Sequence, residues 1–277
     1  MTPPPSPKNP APKPGSHPPC ARFALPGGAI WLSSAKGTAP NPELLAAGLD
    51  RRGQKDAGSW VPFGAGSDRA WVKGGRLSWK SALRHGASRA FLGRAVPRMR
   101  EMGNLIALIE RGVPAAEPLL AGVERGPLGQ PTLQFLATRE VLGAVDLGAY
   151  LKEAKDQQRQ EVMADAGRLA SLMHQAGFAH RNFFLRNLVR QPSGALTILD
   201  PWRGQFERAP RCHVVDLAGF LADAGLRINE LDSERFLESY ADASRGTIAT
   251  PSRAALHKAT AHESRRIQAR DQRRRTR

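Results

Sequence analysis

The chain has 277 residues, 41% of them hydrophobic, and a formal net charge of +16. That length admits one two-lobed domain or two small ones around a sizeable core. No apolar run reaches the ~18 residues of a transmembrane helix, and two cysteines, Cys20 and Cys212, are too few for a disulfide framework or a zinc site. A globular, cytosolic protein is expected, and the basic balance points to anionic substrates or surfaces without choosing among them.

Met1 to Pro19 are rich in proline and lack the apolar segment of a secretory signal, so residues 1–28 are expected to form a disordered tail. Gly28 to Gly58 are punctuated by Gly, Pro and Ala and resist assignment. Trp60 to Phe63 and Arg69 to Lys73 read as two strands joined by the turn Gly64 to Asp68. A helix is expected from Arg94 to Arg111, with Pro97 near its start and Gly112 and Pro114 as stop signals. Strand-like runs follow at Leu119 to Val123 and Thr132 to Thr138, and Asp146 caps a short helix from Leu147.

Val162, Ala166, Leu169, Leu172 and Met173 recur at helical spacing and predict a helix over Gln157 to Gln175, ending at Gly177. Leu188 to Arg190 and Leu196 to Leu199 read as a strand pair joined by Gln191 to Gly194, and His213 to Ala243 as helical. Strands before one helix, then more strands, then helices give an α+β order. It corresponds to a small β-rich lobe over 29–138 and a helical lobe over 139–250, followed by a basic tail over 251–277. Ser252 to Arg277 hold nine Lys/Arg against two acids, which suits an anionic membrane face or nucleic acid, or a merely solvated tail. There is no zinc motif, RNP-like pattern or clear recognition helix, so nucleic acid is not the expected partner.

The densest chemistry lies in His180-Arg181-Asn182, followed after four residues by Asn187 and, thirteen residues later, by Asp200 at a strand end. That is the spacing of a protein-kinase-like catalytic loop and metal aspartate, with Asn182 where the catalytic Asp would stand. Asn187 and Asp200 offer the amide and carboxylate oxygens that Mg²⁺ takes, and a hairpin from Leu188 to Leu199 would bring them together. Lys73 closes a strand, as a lysine reaching the α- and β-phosphates of ATP would, and Glu101 on the following helix is the candidate to hold it.

His180 is read as a prop beneath the loop, Arg181 as a partner for an acidic or phosphorylated group, and His174 as a scaffold histidine. Asp216 either anchors the loop backbone or is an acid at a helix start. Asn182 leaves two readings open. Its amide oxygen can orient a substrate hydroxyl in a working enzyme, or it marks lost catalysis in a nucleotide- or partner-binding scaffold. General bases contribute about 10²- to 10⁴-fold, whereas positioning and charge neutralisation dominate phosphoryl transfer. The glycine loop is poor. Gly64-Ala65-Gly66 sits in the wrong turn if Lys73 ends the third strand, and Gly53 to Gly58 hold two glycines without GxGxxG. The cluster Arg76, Lys80, Arg84, His85, Arg89, Arg94 and Arg98 is either a grip for an anionic acceptor or a solvated helix face.

Together these segments resemble the lipopolysaccharide core kinase family, bacterial relatives of protein kinases that phosphorylate heptose or Kdo sugars. The carrying residues are Trp71-Val72-Lys73, Leu77 to Lys80, Arg100-Glu101-Met102-Gly103-Asn104, Gly112-Val113-Pro114, Ala137 to Ala144, the loop His180 to Asn187, Asp216-Leu217-Ala218 and Phe236 to Tyr240. The resemblance covers Trp60 to Tyr240. It implies a two-lobed kinase-like fold, ATP with Mg²⁺, and a sugar or glycolipid acceptor at the inner face of the cytoplasmic membrane. Asn182, Pro201-Trp202 after Asp200, and the poor glycine loop depart from the kinase pattern.

Overall fold

The computed structural model describes residues 21–25, 28–34, 40–64, 66, 68–92, 95–206, 210–225, 227–248 and 251–275. Strands β1 (Ala21–Leu25) and β2 (Gly28–Ser34) pair antiparallel at one edge of a six-stranded sheet. Helix α1 (Pro42–Leu49) begins where Asn41 Oδ1 accepts from Leu44 N at 3.0 Å and Pro42 occupies the first turn. Strands β3 (Ala57–Pro62) and β4 (Arg69–Arg76) form the expected hairpin at the other edge. Helices α2 (Trp79–Leu92) and α3 (Pro97–Glu110) lead into β5 (Pro118–Arg125) and β6 (Pro131–Arg139). The sheet order is β1-β2-β5-β6-β4-β3, antiparallel throughout.

The two-residue period of the strands sorts side chains between two cores. Ala70 and Val72 on β4, and Leu133, Phe135 and Ala137 on β6, meet Leu44 of α1 in one apolar cluster. Leu136 of β6 and Ala121 and Val123 of β5 meet Met99, Met102 and Leu105 of α3 in another. Lys73 has the opposite parity to Val72, which directs it toward α3. With both faces covered, β6 is buried along nearly its whole length instead of alternating.

The chain then runs through β7 (Val145–Asp146), α4 (Leu147–Glu153), α5 (Asp156–Gln175), β8 (Phe178–Ala179), β9 (Leu188–Arg190), β10 (Leu196–Ile198) and β11 (Gln205–Phe206). Helices α6 (Pro210–Ala224), α7 (Glu230–Ser244) and α8 (Arg253–Arg275) complete it. A third apolar cluster joins α4, α5, α6 and α7 through Leu151, Met163, Met173, Phe220, Phe236 and Tyr240. The result is a mixed α/β protein of the kind a kinase-like fold requires. Among the described residues, no helix is long and apolar enough to cross a membrane.

Four sequence expectations need correction. A tail reaching residue 28 is too long, because β1 starts at Ala21 and pairs along its length with β2; residues 1–20 lie outside the described residues. The unassigned stretch from Gly28 holds β2 and α1. The helix expected from Arg94 starts at Pro97, since proline disfavours helical backbone in the residue before it and Val96 is extended (φ −62°, ψ 155°). The basic segment after residue 250 is not simply a tail: α8 packs against α6 and buries Leu256 and Glu263.

Candidate active site

The site forms where β4 and α3 face the loop after α5. Lys73 Nζ lies 2.6 Å from Glu101 Oε1 and 2.8 Å from Asp200 Oδ1. The Lys73–Glu101 contact is a close, buried ion pair. Arg98, one turn earlier on α3, supplies the second cation. Its Nη1 is 2.8 Å from Glu101 Oε2 and 3.4 Å from Asp200 Oδ1, and its Nη2 is 2.8 Å from both oxygens of Asp56.

Glu101 is 0% exposed. Burial pushes its carboxyl above the usual value despite the nearby Lys73. Burial would also raise Asp200, but Lys73 and Arg98 outweigh it and hold that carboxyl below its ordinary value. Asp200 is therefore ionised at neutral pH.

The loop is fixed from beneath. Asp216, on α6, accepts from His180 N at 2.7 Å and Arg181 N at 2.6 Å. Its Oδ2 also accepts from His174 Nε2 at 3.3 Å, while His174 Nδ1 meets the Tyr240 hydroxyl at 3.0 Å. His180 is fully buried, and that burial lowers its pKa, so the neutral ring donates from Nε2 to the Leu199 carbonyl at 3.1 Å. This bond ties the loop to the segment after β10 that carries Asp200.

Arg181 (φ +58°) and Asp200 (φ +54°) adopt left-handed backbone, at a cost of about 1–3 kcal/mol each, so neighbours must hold them. Asp216 does so for Arg181. For Asp200 the restraint comes from Asn104 on α3, whose Nδ2 donates to the Pro201 and Gly204 carbonyls at 2.7 and 3.0 Å.

Asn187 Nδ2 donates to the Asn182 carbonyl at 2.6 Å. This orients the Asn187 amide and leaves its oxygen as the acceptor. The Asn182 side-chain oxygen accepts weakly from Arg186 Nη2 at 3.4 Å. Lys73, Glu101, Asn187 and Asp200 line one cleft of about 770 Å³ with Thr138 and Val141. Trp60 and Trp71 wall it as well, edge to face at 5.1 Å. A side chain on Gly58 would overlap the Trp71 indole, so that glycine is what lets the ring lie across β3.

The structure thus brings together Lys73, Glu101, Asn187 and Asp200, with His180 and Arg181 in the loop backbone that supports them. Asn182 lines a separate cavity with Arg181. The suggested phosphate loop fares differently. Gly64 and Gly66 lie in the β3–β4 turn, and no residue of Gly53 to Gly58 lines the cleft. That stretch packs on the end of β4, where Arg76 N donates to the Gln54 carbonyl at 2.8 Å, and its Asp56 meets the site through Arg98.

The expected basic cluster also divides. Arg76, Lys80 and Arg84 are exposed, Arg94 lies outside the described residues, and Arg98 belongs to the Glu101–Asp200 network. Arg98 and Asp56 are site residues that sequence reasoning missed in this role. The available signal was the i, i+3 spacing of Arg98 to Glu101.

A strand lysine paired to a helix glutamate, set against a loop asparagine and a strand-end aspartate, is the residue set with which kinases hold nucleotide phosphates and metal. The protein is in that sense a kinase-type chain. A family model described as the lipopolysaccharide kinase (Kdo/WaaP) family matches residues 65–240, and the chain belongs to that family. No curated protein matches it.

Proposed function

We propose that the chain is an ATP- and Mg²⁺-dependent phosphotransferase acting on a sugar hydroxyl of a lipopolysaccharide-type glycolipid. The observation that carries this reading is the Lys73–Glu101 pair beside Asp200, on a chain of a lipopolysaccharide kinase family. Lys73 offsets charge on the α- and β-phosphates, and Glu101 keeps its ammonium on the cleft wall. The Trp60–Trp71 pair and the chain from Thr138 to Ala144 would hold the adenine.

The donor set fits Mg²⁺. Asp200 uses Oδ1 for both cations and keeps Oδ2, the Asn187 amide presents oxygen, and among the described residues no group of three or more His, Cys, Asp or Glu forms a metal cage. Two protein oxygens with the remaining positions left to phosphate and water is how Mg²⁺ is usually held. When bound, the metal offsets charge on the transferring phosphoryl group. Asn182 supplies an amide oxygen that orients the acceptor hydroxyl but takes no proton. The exposed Lys258, Arg265 and Arg266 of α8 support peripheral contact with an anionic membrane.

The alternative, a nucleotide-binding scaffold without turnover, is favoured by Asn182 alone. Transfer of labelled γ-phosphate from Mg²⁺·ATP to purified lipopolysaccharide separates the two. Wild type should label the sugar, and Lys73→Met should lose about 100-fold or more of that rate. No labelling by wild type, or equal labelling by both, would refute the enzyme reading.

A further inference from the structure

The loop position that would carry the catalytic carboxylate holds an amide, yet a carboxylate lies in the same cavity. Asn182, Arg181 and Phe183 of the loop line a cavity of about 350 Å³ together with Arg203, and its other wall is α8, through Glu263, Arg266 and Ile267. Glu263 is 6% exposed. Arg266, one turn further along α8, grips it with two contacts, 2.6 Å to Oε1 and 2.8 Å to Oε2. Both contacts come from the one nitrogen Nη1, and each carboxylate oxygen keeps a lone pair to spare. The cavity has the size of a small-ligand pocket, for which about 300–1,000 Å³ is usual. Its polar lining combines three guanidinium groups, one amide and one carboxylate. Glu263 lies outside the residues that match the family model, 65–240.

We propose that Glu263 of α8 takes the part of the missing loop carboxylate: it accepts the acceptor hydroxyl's hydrogen bond and receives its proton. The proposal rests on the phosphotransferase reading. In the step, the acceptor oxygen forms a bond to the γ-phosphorus while the bond from that phosphorus to the β,γ-bridging oxygen breaks. ADP leaves with the electron pair, and the hydroxyl proton passes to Glu263. Asn182 then orients the hydroxyl from the loop side, and Arg266 holds the carboxylate in place. The C-terminal helix becomes part of the acceptor site, and the loop amide is compensated.

The test compares wild type, Glu263→Gln, Asn182→Asp and the double variant in Mg²⁺·ATP-dependent labelling of purified lipopolysaccharide, with ATP affinity and urea midpoint measured for each. Glu263→Gln should lower kcat by about 10²- to 10⁴-fold, leaving ATP affinity unchanged. Asn182→Asp in that background should restore most of the loss by returning a carboxylate to the loop, a rescue that a purely structural role for Glu263 does not allow. Should Glu263→Gln fail to fold, Glu263→Asp keeps the charge and withdraws it by one methylene, and the same loss and rescue are expected.

A kcat within about threefold of wild type, or a loss that Asn182→Asp does not relieve, overturns the proposal. Labelling by Asn182→Asp but not by wild type overturns the role of Glu263 and turnover by the natural chain alike, and leaves the scaffold reading with intact nucleotide and acceptor sites. If neither labels, both fall.

Discussion

Glu101 is the most exacting group in the site, a fully buried carboxylate with two cations, Lys73 at 2.6 Å and Arg98 at 2.8 Å. Removing either cation alone leaves the other in place. Lys73→Met and Arg98→Met should each cost about 1–2 kcal/mol, the scale of one lost charge-assisted contact. Removing both leaves a buried charge without a partner, and such a group neutralises instead of staying ionised.

At pH 7, protonating a carboxyl of ordinary pKa near 4.3 costs about 4 kcal/mol, and at pH 5 about 1 kcal/mol. The double variant should therefore lose more than the sum of the singles at pH 7, by about 1–3 kcal/mol. Much of that excess should vanish at pH 5. The sign follows from linkage: with its folded pKa raised, Glu101 binds a proton in the native state that the unfolded chain lacks, so stability falls as pH rises through that window. Urea unfolding of the four proteins at both pH values measures the cycle. Additive losses that do not change with pH would refute the claim that Glu101 depends on these two cations.

His213 stacks on His174 at 4.1 Å with both ring nitrogens unpaired, and burial, followed by His174, lowers its pKa to about 4. Because the unfolded chain binds that proton more readily, stability should be complete above pH 6.5 and fall toward pH 4 by on the order of 2 kcal/mol. His213→Phe should flatten the slope in urea titrations, and an unchanged slope would exclude His213 as its source. Asp216→Asn keeps one acceptor oxygen for the two loop N–H groups of His180 and Arg181, so it should cost about 2–4 kcal/mol and speed hydrogen exchange at those amides; unaltered exchange would contradict the anchoring role. A methyl at Gly167 would overlap the Phe236 carbonyl oxygen where α5 crosses α7. Gly167→Ala should accordingly lower stability by about 1–3 kcal/mol, and a neutral result would mean the helices separate freely.

The parts of the site carried by short local motifs were legible in the sequence. Lys73 on a strand (though β4 runs three residues past it and Lys73 does not close it), Asn187 five residues after Asn182, and Asp200 after a short hairpin each have a spacing that dictates where the side chain goes. The α+β order of elements was legible for the same reason. What escaped depended on distant partners. β2 carries little strand signal of its own and is fixed by pairing with β5, about ninety residues away in the chain, and β1 in turn pairs with β2. Arg98 looked like one more surface cation, because its inward placement follows from Met99, Met102 and Leu105 turning α3 onto the sheet. α8 has so few apolar side chains that Leu256 is its only buried one among the described residues, and nothing local announced that Glu263 would be buried with it. Trp60 and Trp71 were legible as strand residues but not as a cleft wall, since that role requires the bare backbone of Gly58 opposite the indole.

The measurement that tests the central claim most directly is calorimetric titration of ATP into the protein with and without Mg²⁺, for wild type and Asp200→Ala. The account predicts Mg²⁺-dependent binding by wild type that is lost when the Asp200 carboxylate is removed, with the variant still folded. Binding that ignores both the metal and Asp200, or no binding by folded wild type, would contradict it.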